Sequence, residues 1–349
     1  MGAQLHLSEE NLLDYLRGLG LLAPGARAAV EKAGDGNINW VRRVRAQGGA
    51  GPGAGARSFV VKQARPALER FPEYRVSTDR ILFEHRYLER TRPLDADSVL
   101  PAVYRFDLEN RVLVLEDLSG AERMDRALAR GADLASAAAR LAAFLGRVHA
   151  ATGEDTGLAN AFANDAMRRL HGDHIFALPL RPNDFPLSPA VAARAAALQA
   201  DAELVRIADA AYARYLEPRG ALVHGDVQAG NVLLPAAGPK LLDAEIAHVG
   251  DPAFDLGTLL AHLLLPGAAA GRPEAGAGAA AAALDAYRAA GGECAPADAL
   301  RYAGLELLRR TIGAARVAAL ESDEASLAVL ERAVAWIRRP PSGARGLRD

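Results

Sequence analysis

The chain has little cysteine, little net charge and no long apolar run, and each absence excludes a class of protein. Cys294 is the one cysteine in 349 residues, which excludes an internal disulfide and makes a cytoplasmic location the expectation. The formal net charge of -2 gives no basic surface, so we expect no nucleic acid partner. No run of about 18 apolar residues occurs, and no basic segment followed by an apolar one opens the chain. We therefore expect neither a membrane partner nor a signal peptide.

The pattern of predicted elements changes near Leu118. Before it, short apolar runs predict strands over 28–33, 38–46, 58–64, 103–106 and 112–115, and helical spacing predicts helices at 12–16 and 77–90. After it, alanine-rich segments with helical spacing predict helices over 133–150, 187–216, 254–265, 278–290, 297–319 and 323–338.

This order predicts an α+β fold of two lobes with a cleft between them. Residues 1–117 would form a small nucleotide-binding lobe with an antiparallel sheet and one helix. Residues 118–338 would form a large, mainly helical lobe for catalysis and substrate binding. Residues 339–349 contain Pro340, Pro341 and two glycines, and we expect this tail to be disordered.

The stretch from Leu222 to Leu234 carries the strongest functional signal. Asp226 and Asn231 lie on a short loop between two strand-like runs, and the acidic cluster of Asp243 and Glu245 follows. Phosphoryl transfer from ATP to a hydroxyl needs one carboxylate to orient the hydroxyl, and an amide with a second carboxylate to hold Mg²⁺. We therefore predict Asp226 as the catalytic residue and Asn231, Asp243 and Glu245 as metal ligands. An Asx-rich turn without chemistry is the alternative.

Gly34, Asp35, Gly36 and Asn37 lie between two predicted strands. The segment precedes no helix and lacks the Gly-Lys-Ser/Thr sequence, so it is not a Walker A loop. A glycine hairpin can close over ATP phosphates with its backbone N–H groups. Taken alone the segment favours a plain hairpin turn; with the lysine of a following strand, nucleotide contact becomes the working hypothesis.

That lysine is Lys62, which shares one face of its predicted strand with Val60. In a kinase-like lobe it would contact the α- and β-phosphates, and a helix glutamate would hold it. Glu84 is the first candidate and Glu89 the second; a solvated lysine on an edge strand is the alternative. Glu116 and Leu118 end an apolar strand at the predicted lobe boundary, where main-chain groups can pair with adenine; a strand end with polar caps is the alternative.

The motif His224-Gly225-Asp226, with Asn231, Asp243 and the later Gly250-Asp251-Pro252 and Asp255-Leu256, carries a family resemblance. It resembles the aminoglycoside phosphotransferase/choline kinase-type small-molecule kinases, which share the protein-kinase-like two-lobe fold. The resemblance implies that Asp251 and Asp255 hold the catalytic loop and do not touch substrate.

Further segments are similar to one branch, 5-methylthioribose kinase. They are Gly34–Asn39 before Trp40, Val61–Ala64, Leu115–Ser119, Asp243–Glu245 and Leu308–Gly313. The resemblance places Arg309 and Arg310 at the sugar site; a solvated helix stretch is the alternative. The chain departs from this branch at Asn231, Ala244 and Val227-Gln228-Ala229, where the branch has Ser, Pro and Leu-His-Thr.

The leading hypothesis is an ATP- and Mg²⁺-dependent kinase that phosphorylates a hydroxyl of a small metabolite, namely 5-methylthioribose or a related sugar of methionine salvage. An aminoglycoside- or amino-alcohol-directed phosphotransferase is the alternative, although paired arginines would repel such cationic ligands. An inactive nucleotide-binding pseudokinase is the non-enzymatic alternative, but Lys62, Asp226, Asn231 and Asp243 are all present. The sequence leaves a homodimer open.

Overall fold

The computed structural model describes residues 4–34, 39–47, 58–67, 75–153, 155–272, 274–317, 320 and 322–343. The predicted nucleotide contacts of Asp35, Gly36 and Asn37 lie outside the described residues, as does most of the predicted tail. The chain divides into two compact units. Unit 1 comprises Met1–Glu89 and Pro101–Gly120, and unit 2 comprises Arg90–Leu100 and Ala121–Asp349.

Unit 1 is built on an antiparallel sheet, which in the described residues has five strands in the order β1-β2-β3-β5-β4. The strands are β1 (Arg27–Lys32), β2 (Trp40–Gln47), β3 (Ser58–Gln63), β4 (Val103–Asp107) and β5 (Val112–Glu116). The helices are α1 (Leu12–Gly18) and α2 (Arg80–Thr91), whose last two residues belong to unit 2. Alternate residues of β3 and β5, such as Phe59 and Val61, pack with Leu12 and Leu16 in one core. This alternation leaves Lys62 off that core.

Unit 2 is mainly helical. Its helices are α3 (Met124–Ala129), α4 (Ala135–Thr152), α5 (Leu158–Ala161), α6 (Asp165–Gly172), α7 (Pro189–Gln199), α8 (Ala202–Leu216), α9 (Pro252–Ala269), α10 (Ala277–Ala289), α11 (Pro296–Ile312) and α12 (Asp323–Arg338). Its short strands are β6 (Glu122–Arg123), β7 (Ala221–Val223), β8 (Val232–Leu234), β9 (Lys240–Leu241) and β10 (His248–Gly250). β7 pairs with β10, and β8 lies between β6 and β9, always antiparallel. None of the helices in the described part of the chain is long and apolar enough to cross a membrane.

Two helix predictions in unit 2 are wrong in their extent. The helix predicted over 187–216 is two helices, because Asp201 starts α8 by accepting the backbone N–H of Leu204 at 3.0 Å. Alanine on both sides of Asp201 continues the helical spacing and hides this cap. The helix predicted over 297–319 ends at Ile312, and Gly313 follows it in an extended conformation.

Candidate active site

Unit 1 holds a buried ion pair between a strand and a helix. Lys62 lies on β3, the central strand, and its Nζ is 2.7 Å from Oε2 of Glu84 on α2. The two side chains are only 5% and 2% exposed. Glu89, the second candidate, is largely exposed and lies 3.4 Å from Nδ1 of His85. The lysine–glutamate pairing that a kinase-like lobe requires is therefore present at Lys62 and Glu84.

The predicted adenine contacts lie at the end of β5. The N–H of Glu116 donates to the Ala102 carbonyl at 2.9 Å, and its carboxylate accepts the Ala102 N–H at 3.0 Å. The N–H and the carboxylate of Glu116 are therefore both engaged with Ala102. Leu118 follows, half-buried, and Gly34 lies after β1 with a φ of 71°.

In unit 2, the loop between β7 and β8 is held by a fully buried carboxylate. The backbone N–H groups of His224 and Gly225 donate to Asp255 at 2.7 and 2.9 Å, and His149 lies 3.3 Å from the same carboxylate. Burial raises the pKa of Asp255, but hydrogen bonding with His149 and the other contacts lower it more, so that it lies below its ordinary value. Asp255 therefore holds the loop, the role that the family resemblance implied.

Glycine is required at position 225 of this loop. Its φ of +84° lies in the left-handed region, and a Cβ there would lie 2.7 Å from the Ile246 carbonyl oxygen. The backbone thus turns sharply just before Asp226.

Asp226 sits in a set of polar contacts from its own loop. Its Oδ2 accepts hydrogen bonds from Gln228 Nε2 and Asn231 Nδ2, both at 2.8 Å. Asn231 Nδ2 also donates to the main-chain carbonyl of Asp226 at 3.0 Å. The other carboxylate oxygen, Asp226 Oδ1, is buried and accepts no hydrogen bond from any residue that the structure describes. His171 Nε2 is 3.7 Å from this oxygen.

Two arginines and a glutamate of α11 surround this loop. Glu306 lies 2.6 Å from Arg310 Nε and 3.2 Å from Arg309 Nη1. Arg310 continues to the loop, where its Nη2 donates to Gln228 Oε1 at 2.7 Å. Arg309 Nη1 is 3.1 Å from His171 Nε2. The paired arginines therefore lie next to Asp226 and are not a solvated stretch of helix.

The charge states around Asp226 follow from this packing. Burial raises the pKa of Asp226, but His171, Arg309 and Arg310 lower it more, so that it lies below its ordinary value. Burial and Arg309 lower the pKa of His171 to about 3, so its ring is neutral at neutral pH. Because a guanidinium only donates, His171 Nε2 accepts and the ring proton lies on Nδ1. The charges that favour ionised Asp226 at neutral pH therefore come from the arginines.

The predicted metal ligands differ in their exposure. Asn231 uses its amide nitrogen on Asp226, which leaves its Oδ1 as the atom for a cation. Asp243 is exposed and has a φ of 65°, rare for a non-glycine residue. The Leu242 N–H donates to the Asn231 carbonyl at 2.9 Å and joins the two segments. Glu245 is 6% exposed, and its carbonyl accepts from Asn164 at 2.9 Å.

This donor set fits a hard cation. Within the described ranges, no three His, Cys, Asp or Glu side chains are grouped as a metal site of their own. Mg²⁺ rarely needs such a group, because it binds through one or two carboxylates, waters and substrate phosphates. An amide oxygen from Asn231 and the exposed carboxylate of Asp243 supply ligands of the right kind.

The site also contains residues that the sequence did not single out. Glu306 precedes Arg309 and Arg310 by three and four positions, a spacing typical of helical ion pairs, and this signal was available. His171 lies in the segment 153–186, for which no element was predicted. It carries no local signal, because α6 brings it to Asp226 only in the folded chain.

Comparison with known proteins agrees with this geometry. The model of the phosphotransferase enzyme family matches residues 29–296. A methylthioribose kinase of Pectobacterium carotovorum is 29% identical, covering 92% of this chain and 90% of the relative. One of Yersinia enterocolitica is 30% identical, covering 89% and 86%. The solved choline kinase LicA of Streptococcus pneumoniae is 16% identical with a TM-score of 0.53, covering 95% of this chain and 98% of that one, which shows the protein-kinase-like fold.

The family model covers well over half of the chain, and the relatives align along most of their own length. Their shared activity is transfer of a phosphoryl group to an alcohol. The chain belongs to the phosphotransferase enzyme family and is a phosphotransferase that acts on a hydroxyl group.

Proposed function

We propose that this enzyme is an ATP- and Mg²⁺-dependent kinase whose acceptor is 5-methylthioribose or a closely related sugar. The relatives named methylthioribose kinase support this acceptor class. The observation that carries the proposal is the contact of Arg310 with the Asp226 loop through Gln228. Through this contact Arg310, one of the two arginines that the resemblance assigned to the sugar site, lies near Asp226, the residue predicted to orient the hydroxyl.

In this proposal, unit 1 binds the nucleotide. Lys62, held by Glu84, contacts the α- and β-phosphates, as the corresponding pair does in protein kinases. The main chain of Glu116 and Leu118 pairs with adenine. The segment Gly34–Asn37 supplies backbone N–H groups to the phosphates.

Unit 2 performs the chemistry. Asp226 orients the acceptor hydroxyl and takes its proton as the hydroxyl oxygen attacks the γ-phosphorus and the bond electrons leave with ADP. Asn231, Asp243 and Glu245 hold Mg²⁺, which neutralises charge on the phosphates. The lowered pKa makes Asp226 a weak base. A weak base suffices, because phosphoryl transfer passes through a loose transition state in which positioning matters most.

The charge balance of the site favours a neutral acceptor. Asp226 and Glu306 supply two negative charges, Arg309 and Arg310 supply two positive ones, and His171 is neutral at neutral pH. Cationic aminoglycosides and amino alcohols need excess negative charge, whereas a sugar needs hydrogen-bond donors and acceptors. The side chains around Asp226 offer such donors and acceptors without an excess of charge, and the carboxylates of Asp243 and Glu245 are assigned to Mg²⁺ in this proposal.

ADP release from the purified protein tests the proposal. Methylthioribose, other pentoses, choline and an aminoglycoside are compared as acceptors with ATP, with and without Mg²⁺. We expect strong stimulation by methylthioribose, weaker stimulation by other pentoses and none by choline or the aminoglycoside. Choline or aminoglycoside as the best acceptor would replace the proposal with the amino-alcohol alternative.

A further inference from the structure

Gln228 joins the two charged parts of the site through a contact whose direction chemistry fixes. A guanidinium only donates hydrogen bonds and a carboxylate only accepts them. Gln228 must therefore turn its oxygen to Arg310, at 2.7 Å, and its amide nitrogen to Asp226, at 2.8 Å. Glutamate here would place a second carboxylate against Asp226, and lysine would place a cation against Arg310. A neutral group with one donor and one acceptor is what this position requires.

The same contacts cover the catalytic carboxylate. Only 13% of the Asp226 side chain is exposed, and its buried Oδ1 contributes almost nothing to that area. The exposed area therefore lies on the rest of the side chain, whose polar atom is Oδ2, and at Oδ2 the amides of Gln228 and Asn231 donate. Asn231 also holds the Asp226 carbonyl, so moving it would disrupt the loop. The Gln228 side chain, in contrast, can move away from Asp226 without breaking a hydrogen bond to the loop backbone.

We propose that Gln228 is a specificity-determining residue that covers Asp226 until a vicinal diol of the acceptor replaces its amide. The inference rests on the proposed function and extends it to a substrate class. A vicinal diol presents two oxygens at a spacing comparable to the oxygen and nitrogen of an amide. One hydroxyl donates to Asp226 Oδ2, and its neighbour accepts from Arg310. An isolated hydroxyl replaces one contact and leaves the other to a separate water, which must be ordered in a largely buried site.

By covering Asp226, Gln228 limits a side reaction, the hydrolysis of ATP by water. In hydrolysis, a water oxygen bonds to the γ-phosphorus while the bond from that phosphorus to the β,γ-bridging oxygen breaks. ADP leaves with the bond electrons, and the water proton passes to Asp226. While Gln228 occupies Oδ2, water is poorly oriented there. An acceptor diol removes the cover and supplies the nucleophile in one event.

Substitution of Gln228 by Leu tests this role, because leucine keeps similar volume and loses both hydrogen bonds. ADP release is measured with and without the acceptor sugar, and with a deoxy analogue that lacks one hydroxyl of the diol. We expect the ratio of stimulated to acceptor-free release to fall by about tenfold or more, the effect of losing a hydrogen bond to a charged group. Discrimination against the deoxy analogue should fall as well. An unchanged ratio in the folded variant would overturn the proposal.

Two further variants make the test specific. Gln199→Leu makes the same change at a glutamine that donates to the Pro179 carbonyl, and it should keep the parental ratio. Gln228→His keeps one donor and one acceptor while the imidazole is neutral, but loses the acceptor when protonated. It should keep a high ratio at about pH 8 and lose it at about pH 6. If Gln228→Leu does not fold, a flat ratio in Gln228→His counts against the proposal.

The inference and the proposed function fail in different ways. If no sugar stimulates the parental enzyme, the acceptor assignment fails. Acceptor-free ADP release then still decides the role of Gln228: a rise in Gln228→Leu above the parental rate supports the cover, and no rise overturns it.

Discussion

The two units hold their functional charges in contrasting ways. In unit 1, Lys62 and Glu84 form one short ion pair that is almost fully buried. In unit 2, Asp226 belongs to a cluster in which Glu306, Arg309 and Arg310 share the charge and Gln228 carries the contact between its parts. A buried ion pair loses its charge balance when either member is removed. In a cluster, the remaining side chains can form new contacts when one member is replaced. We therefore expect substitution of most cluster members to change the reaction rate without unfolding unit 2.

The contrast has a chemical reason. A lysine that contacts phosphates needs one fixed position, and a buried partner provides it. In the proposed mechanism Asp226 takes up and releases one proton in each turnover, which requires neighbours that adjust. The predictions below test whether unit 1 responds in stability and unit 2 responds in rate.

The largest expected effect is on the rate in unit 2. Asp226→Asn keeps the shape of the side chain but removes the proton acceptor, and we expect kcat to fall by about 10²–10⁴-fold. The measurement is ADP release with the best acceptor, beside a thermal unfolding curve that should be nearly parental. Asp209→Asn, at an exposed position of α8, is the matched control. Turnover near the parental value in Asp226→Asn would remove this residue from the mechanism.

The second effect is on the stability of unit 1. Lys62→Met leaves the Glu84 carboxylate buried without the lysine charge, and we expect a loss of about 3–5 kcal/mol in the free energy of unfolding. Urea unfolding followed by circular dichroism measures it.

A double substitution separates the two roles of that lysine. Lys62→Met with Glu84→Met removes both charges and should regain most of the stability, because apolar replacement of a buried pair is often neutral. Activity should stay low, since the lysine that contacts the α- and β-phosphates in the proposed mechanism is then absent. If the double variant is as unstable as Lys62→Met, the loss of stability does not come from removing the lysine charge beside Glu84. The contrast between the two units would then fail.

Residues that lie in short, continuous segments, or in neighbouring elements, could be predicted from the sequence. Strand alternation and the following helix identified Lys62 and Glu84, and loop spacing identified Asp226 and Asn231 and, through the resemblance, Asp255. These residues meet through neighbouring elements or within one loop. The fold class was predictable for the same reason, since helical and strand periodicities repeat over many residues.

Contacts that join distant segments were not predictable. Arg310 meets Gln228 across 82 positions, and His171 meets Arg309 across 138. Neither contact leaves a periodicity or spacing, because both depend on how the helices pack. The break at Asp201 was missed for another reason: its capping signal is a single residue within an alanine-rich pattern.

A smaller effect concerns the support of the catalytic loop. Asp255→Asn replaces one carboxylate oxygen by an NH₂ group, which leaves the N–H of His224 or Gly225 without its acceptor. We expect a loss of about 1–3 kcal/mol in stability at neutral pH, measured by urea unfolding. Glu217→Gln, at an exposed ion pair with Arg219, should cost no more than about 1 kcal/mol.

The pH dependence sharpens this prediction. The pKa of Asp255 is lowered in the folded state, so its contribution is present above the unfolded pKa and lost as the pH falls through the folded pKa. The stability gap between the parental protein and Asp255→Asn should therefore narrow below about pH 4. A gap that is constant with pH would mean that the Asp255 charge does not hold the loop.

The smallest expected effect is a shift of the acid limb in the pH profile of kcat/KM. The direction of this shift tests whether the charged side chains around Asp226 set its pKa. Arg310 lowers the pKa of Asp226 and Glu306 raises it. Because Asp226 acts when ionised, Arg310→Leu should move the acid limb to higher pH and Glu306→Gln should move it to lower pH. Arg206→Leu, at an exposed position of α8, should leave the profile unchanged. Profiles are compared where circular dichroism shows each variant folded. Shifts of the same sign in both cluster variants would show that their effect is structural, and the contrast between the two units would then fail.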